Sequence, residues 1–175
     1  MLRTLWMLVA LTVGFGVSQS AALDWKEYRP EGAGYAVEMP GEWKVQSQDV
    51  PTNAGVIKVN IAVVDAGAIA FVTMYSRYPE STIQGQTVSV LFDGARNGAV
   101  ANVKGKLRSE RDVTVSGFPG REIIIDGPTG GIVVMRFFLS GSSLIQAIVG
   151  GKSGVETDPD TRRFLDSLRG VESGN

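Results

Sequence analysis

Residues 121–151, REIIIDGPTGGIVVMRFFLSGSSLIQAIVGG, contain three β-rich runs separated by two turn signals, and how they are read decides the fold. Gly127 to Gly131, with Pro128 inside, mark the first junction, and Ser140 to Ser143 mark the second. Successive side chains of a strand alternate in direction. Ile132, Val134 and Phe138 therefore point one way, and Val133, Met135, Phe137 and Leu139 the other. Apart from Arg136, both sides are apolar. A sheet with one face in water carries a polar residue at every second place, so this meander is read as a layer covered on both faces.

Working outward, the two covers are sought among segments of helical period. In residues 84–101, Val88, Leu91, Phe92, Ala95 and Ala99 fall on one face of a helix. Gly94 and Gly98 each weaken that helix by about 1 kcal/mol relative to Ala. They are read as letting the helix sit close to the sheet. The second cover is ETDPDTRRFLDSLRG, with Asp158 as N-cap, Pro159 at the first helical position, Phe164, Leu165 and Leu168 as the apolar face, and Gly170 as the stop. The dipole is complemented by Asp160 early and Arg169 late. Upstream, a short strand is expected near Trp25 to Tyr28. A second carries Tyr35, Val37 and Met39 and is closed by Pro40 and Gly41, and a hairpin turns at Asp65 to Gly67. The predicted class is α+β, an antiparallel sheet sandwiched between helices in an α-β-α arrangement.

The ends and the composition bound the function. Arg3 is the sole charge before Asp24, an apolar run spans Leu5 to Val17, and Ser20 and Ala22 are small residues suited to a cleavage site. Residues 1–22 are read as a signal peptide, because the apolar run is shorter than the roughly 20 residues a spanning helix needs. With no Cys to take a lipid, no membrane anchor is expected after cleavage. The expected location is periplasmic or secreted. Residues 23–170 are read as one domain and 171–175 as a frayed tail. The chain carries 17 Lys and Arg against 18 Asp and Glu, a formal net charge of −1, and loss of Arg3 makes it one unit more acidic. Nucleic acid is not an expected partner of such a surface. Zero His and zero Cys remove Ser-His-Asp triads, thiolate nucleophiles and imidazole or thiolate metal ligands. No cofactor and no metal site is expected.

Three stretches, GYAVEMPGEW at 34–43, GFPGREIII at 117–125 and RRFLDSLRG at 162–170, together with the order of elements, resemble the PsbP-like superfamily. Its members include the extrinsic photosystem protein, a Ran-binding transport factor and many small exported bacterial proteins. The resemblance implies an antiparallel sheet between helices and an accessory or partner-binding role. It carries over no ligand site, since none is shared across the superfamily.

Few candidate residues stand out. Arg136, inside VVMRFFL, needs a carboxylate if buried. Pairing Asp126 with Gly131 would set it opposite Arg121, whereas one more loop residue pairs Asp126 with Ile132 and sets Arg136 opposite Glu122; the latter is predicted, as a structural ion pair. Trp43, after the Pro40-Gly41 turn, is expected to be a mostly buried anchor capping the core, with Trp25 partly buried. Tyr75, Arg77 and Tyr78 form an aromatic-basic cluster on a strand edge and are the expected partner interface. Asp158, Asp160 and Glu156 are read as a helix start rather than a Ca²⁺ loop, which would need a closing Glu. The leading functional expectation is a non-enzymatic accessory domain binding a protein or envelope component. One alternative is a small-molecule or lipid carrier with an apolar cavity between helix and sheet. The other is a carboxylate hydrolase built on Glu122, Asp126 or Asp93, which would require convergence in one cleft.

Overall fold

The computed structural model describes residues 23–52 and 55–171. The expected signal peptide, 1–22, and the last four residues of the expected tail lie outside the described residues. Among the described residues ten strands and three α-helices follow one another: β1 (Trp25–Tyr28), β2 (Tyr35–Pro40), β3 (Lys44–Thr52), β4 (Gly55–Asp65), β5 (Ile69–Arg77), α1 (Glu80–Ile83), α2 (Val88–Val103), β6 (Lys106–Val115), β7 (Phe118–Asp126), β8 (Gly131–Ser140), β9 (Ser143–Lys152), α3 (Pro159–Ser167) and β10 (Arg169–Gly170). Seven strands form one antiparallel sheet in the order β3-β4-β5-β9-β8-β7-β6, and three form a smaller sheet, β1-β2-β10.

The α-β-α expectation is overturned, because strands dominate and a second sheet takes much of the covering role assigned to a helix. On one face of the large sheet, Val64, Phe71, Val134, Phe138 and Val149 pack against Tyr35, Val37 and Met39 of β2 and against Phe164, Leu165 and Leu168 at α3. The reason is width. A nine-residue helix is about 13 Å long, too short for a face of seven strands spaced about 4.8 Å apart. The buried strand β2 and its neighbours fill the remainder.

On the opposite face α2 lies over β7 and β8, where Phe92 meets Phe137 edge-on with ring centroids 5.3 Å apart. Leu91, Ala95, Ala99, Val100 and Val103 pack around that contact, but Val88, expected on this stripe, is exposed. The glycines do not serve close packing: a Cβ at Gly94 or Gly98 would meet nothing within 4 Å.

Helix ends follow local chemistry. Thr87 caps α2 by accepting from Val90 N, and Asp158 caps α3 by accepting from Asp160 N at 2.8 Å. Helix α3 stops at Ser167, earlier than the Gly170 stop expected from sequence. Residues 169–170 instead pair with Ala36 and Tyr35. A Cβ at Gly170 would sit 2.9 Å from the Phe118 ring, so glycine there lets that ring lie against the backbone. Val171, read as the start of the frayed tail, donates to the carbonyl of Gly34 at 3.0 Å.

Candidate functional site

The two faces carry different kinds of site. Under α2, a groove of about 550 Å³ runs between helix and sheet. Its floor is Met74 of β5, Val133, Met135 and Leu139 of β8, and Leu144, Gln146 and Ile148 of β9. Strand pairing explains the grouping, since Met74 lies beside Gln146, Gln146 beside Phe137, and Ile148 beside Met135 in consecutive rows of one face. The wall comes from α2, through Leu91, Gly94, Ala95, Gly98 and Ala99, and one end is closed by Tyr78, Thr82, Ile83 and Gln86 around α1. Among the described residues that line it, none carries a formal charge. Its volume falls in the range of small-molecule pockets, roughly 300 to 1,000 Å³.

On the opposite face sits a buried carboxylate. The register pairs Asp126 with Ile132 and sets Arg136 opposite Glu122, with Gly127 N donating to Gly131 O at 2.7 Å to close the longer loop. Glu122 is almost wholly buried and accepts from three arginines: Arg136 at 2.6 Å, Arg111 at 2.7 Å and Arg162 at 3.2 Å. Arg136 also donates to the carbonyl of Leu165 at 2.8 Å and meets Asp166 at 2.9 Å. Burial pushes the Glu122 carboxyl upward. The hydrogen bonds and charges of Arg111 and Arg136 outweigh that and hold it below the usual range. Arg108 continues the network, joining Asp126 to Glu156, while Arg162 reaches the carbonyl of Glu156. Every cation here already has an anionic or carbonyl partner.

The remaining candidates are scattered. Tyr75 packs edge-on to Tyr35 at 5.9 Å on the face that carries Glu122, whereas Tyr78 lines the α2 groove on the other face. Arg77 donates to the carbonyl of Gly32 at 3.2 Å. The two tyrosines therefore share no surface. Arg77 and Tyr75 instead border a shallow pocket of about 320 Å³ with Glu31, Lys58 and Asn60. Trp43 is only partly buried, less than expected of an anchor, and meets Tyr28 edge-on at 5.2 Å. Trp25 is also partly buried, between Phe71 at 5.9 Å and the Arg163 guanidinium at 4.6 Å. Of the hydrolase carboxylates, Asp93 sits on α2, where the Arg121 hydrogen bond outweighs slight burial and holds its pKa low, while Glu122 and Asp126 lie on the other face, two same-face steps apart along β7 and paired with Arg136 and Arg108. They do not converge. Gln146 is not among the site residues expected from the sequence; its one signal there is that of a lone polar residue within an apolar run, LIQAIV.

No family model and no curated protein matches the chain. Among solved structures it is similar to the solution structure of cyanobacterial PsbP (CyanoP) from Synechocystis sp. PCC 6803, at 11% identity over 87% of this chain and 96% of that one, with a TM-score of 0.58. It is also aligned with a protein of unknown function from Pseudomonas aeruginosa, at 14% identity over 76% of this chain and 87% of the other, with a TM-score of 0.36. The first likeness gives the fold, which is PsbP-like. Among the described residues no helix is long and apolar enough to cross a membrane.

Proposed function

We propose that the chain is an exported, non-enzymatic binding domain that carries an uncharged apolar molecule of the cell envelope, a lipid chain or a small compound, in the groove between α2 and the sheet. The observation that carries this reading is the groove itself: about 550 Å³, floored by Met74, Val133, Met135, Leu139 and Ile148, with no formal charge on its described lining. An apolar ligand gains from leaving water there, and an ionised one would meet no counter-charge. Export is supported by the layout of residues 1–22, and a non-catalytic role by carboxylates engaged with arginines on opposite faces.

The test is titration with N-phenyl-1-naphthylamine, a neutral apolar fluorophore whose emission rises out of water. The protein is expected to bind it, and Gly98→Leu or Ala95→Leu to lose that binding at least tenfold while melting cooperatively. Undiminished binding in both fill variants would remove the groove from consideration. A second reading, a protein partner at Tyr75 and Arg77, is supported by the shallow pocket they border with Lys58 and Glu31. Affinity capture with Tyr75→Ala against the parent protein tests it, and identical recovery would reject it.

A further inference from the structure

We infer that the groove selects a ligand bearing a neutral hydrogen-bonding group, a ketone, ester or amide carbonyl, flanked by hydrocarbon on both sides, and that Gln146 is the residue that selects it. The inference rests on the reading of the groove as the binding site and adds the class of molecule. Three observations carry it.

The first is position. Leu144, Gln146 and Ile148 are successive same-face residues of β9, so Gln146 stands halfway along the floor, between Leu144 with Leu139 on one side and Ile148 with Met135 on the other. Among the described residues it is the one polar side chain of a sheet floor that is otherwise Met, Val, Leu and Ile. Along that floor a ligand meets hydrocarbon, then an amide, then hydrocarbon.

The second is satisfaction. The backbone carbonyl of Gln146 accepts from Thr73 at 3.1 Å, but its side-chain amide is held by no hydrogen bond from the described residues, and its neighbours across the sheet are Met74 and Phe137. An amide covered by an apolar ligand must hydrogen-bond that ligand or lose its water without compensation. Sites of this kind reject analogues that lack the matching group more strongly than apolar pockets reject a missing methylene.

The third is charge. The ionic cluster near α2, Asp93, Arg96, Glu110 and Arg121, is engaged internally: Arg96 with Asp93 at 3.1 Å and Glu110 at 3.0 Å, and Arg121 with both carboxylates at 2.7 Å. None of the four lines the groove. A carboxylate ligand finds no cation, whereas a neutral carbonyl finds the Gln146 N–H.

Laurdan fits this description: it is a neutral ketone with a naphthalene ring on one side and an undecyl chain on the other, and its emission moves to longer wavelength when the carbonyl accepts a hydrogen bond. The protein is expected to bind laurdan with long-wavelength emission. Gln146→Leu and Gln146→Met should bind it about fivefold more weakly, the loss of one neutral hydrogen bond, with emission shifted to shorter wavelength and an unchanged melting profile. Methyl palmitate should displace laurdan at least tenfold better than palmitate. Laurdan that is expelled by Gly98→Leu but unaltered in affinity and colour by Gln146→Leu would overturn the role of Gln146 and leave the groove reading intact. Equal displacement by palmitate would overturn the neutral class. Failure of both laurdan and N-phenyl-1-naphthylamine to bind would remove the groove reading as well.

Discussion

The two faces of the seven-stranded sheet are similarly apolar, yet one is sealed and the other is not. The sealed face meets a second sheet and a helix together, and Tyr35, Phe71, Phe138 and Phe164 are fully buried there. The other meets one helix, which covers β7 and β8 and leaves Met74, Val133 and Ile148 partly exposed along the groove. An α-helix with its side chains is about 10 to 12 Å across, the width of roughly two strands. Apolarity on a face thus shows that it seeks cover. How completely it is covered depends on the breadth of what arrives.

That contrast can be broken most severely from the sealed side. Phe164→Ala removes a ring packed edge-on against Phe71 at 5.4 Å and is expected to cost about 4 kcal/mol in urea unfolding. A loss under about 1 kcal/mol would mean the face is loosely packed. Next is Glu122→Ala, which leaves three arginines around an empty position and is expected to cost about 3 kcal/mol at neutral pH. Its pH dependence sharpens the point. The folded pKa of Glu122 is depressed, so the ion pairs contribute fully above the unfolded value, about 4.3. That contribution is lost as pH falls through the lower folded value. The gap between parent and variant should therefore persist at pH 5 and close only in stronger acid; a gap that vanishes between pH 6 and 7 would contradict the assignment. On the open side effects are smaller and reverse in sign. Gly94→Ala adds a Cβ that meets nothing and should stabilise by about 1 kcal/mol in the same assay. The smallest effect is expected of Val90→Ser on the groove rim, within about 0.5 kcal/mol, since Val90 is more than half exposed.

Legibility in the sequence followed burial. Strands β7, β8 and β9 were readable because both of their faces are apolar, and the Asp126–Ile132 register because a short loop admits few pairings. Strands β3 and β6 are legible at one end each, where a new strand opens at Trp43 and where the apolar alternation of VTV at 113–115 closes β6, but not along the rest. KVQSQDVPT and KLRSERDVTV are the two edges of the large sheet, largely exposed, so they carry the charges and the proline that discourage further pairing rather than an alternating pattern. The small sheet was half legible: β1 and β2 were read as strands, but the two residues of β10 become a strand only through contact with β2. An apolar cavity between helix and sheet is compatible with the sequence, but its location on β5 and β9 is not legible there, and the spacing of the α2 glycines suggests packing. No spacing along the chain reveals that their neighbours in space are absent.

The strand order has a consequence for how the molecule assembles. β3-β4-β5 and β6-β7-β8-β9 are each runs of sequential hairpins, and in the large sheet they join through one pairing, β5 with β9, which brings Arg77 beside Ser143. The contacts inside each run are local and quick to form, whereas the seam must close a loop holding three strands and both α1 and α2. The helix that roofs the groove is thus also part of the tether between two half-sheets, so a change in α2 acts on the ligand site and on the link that holds the halves of the sheet together.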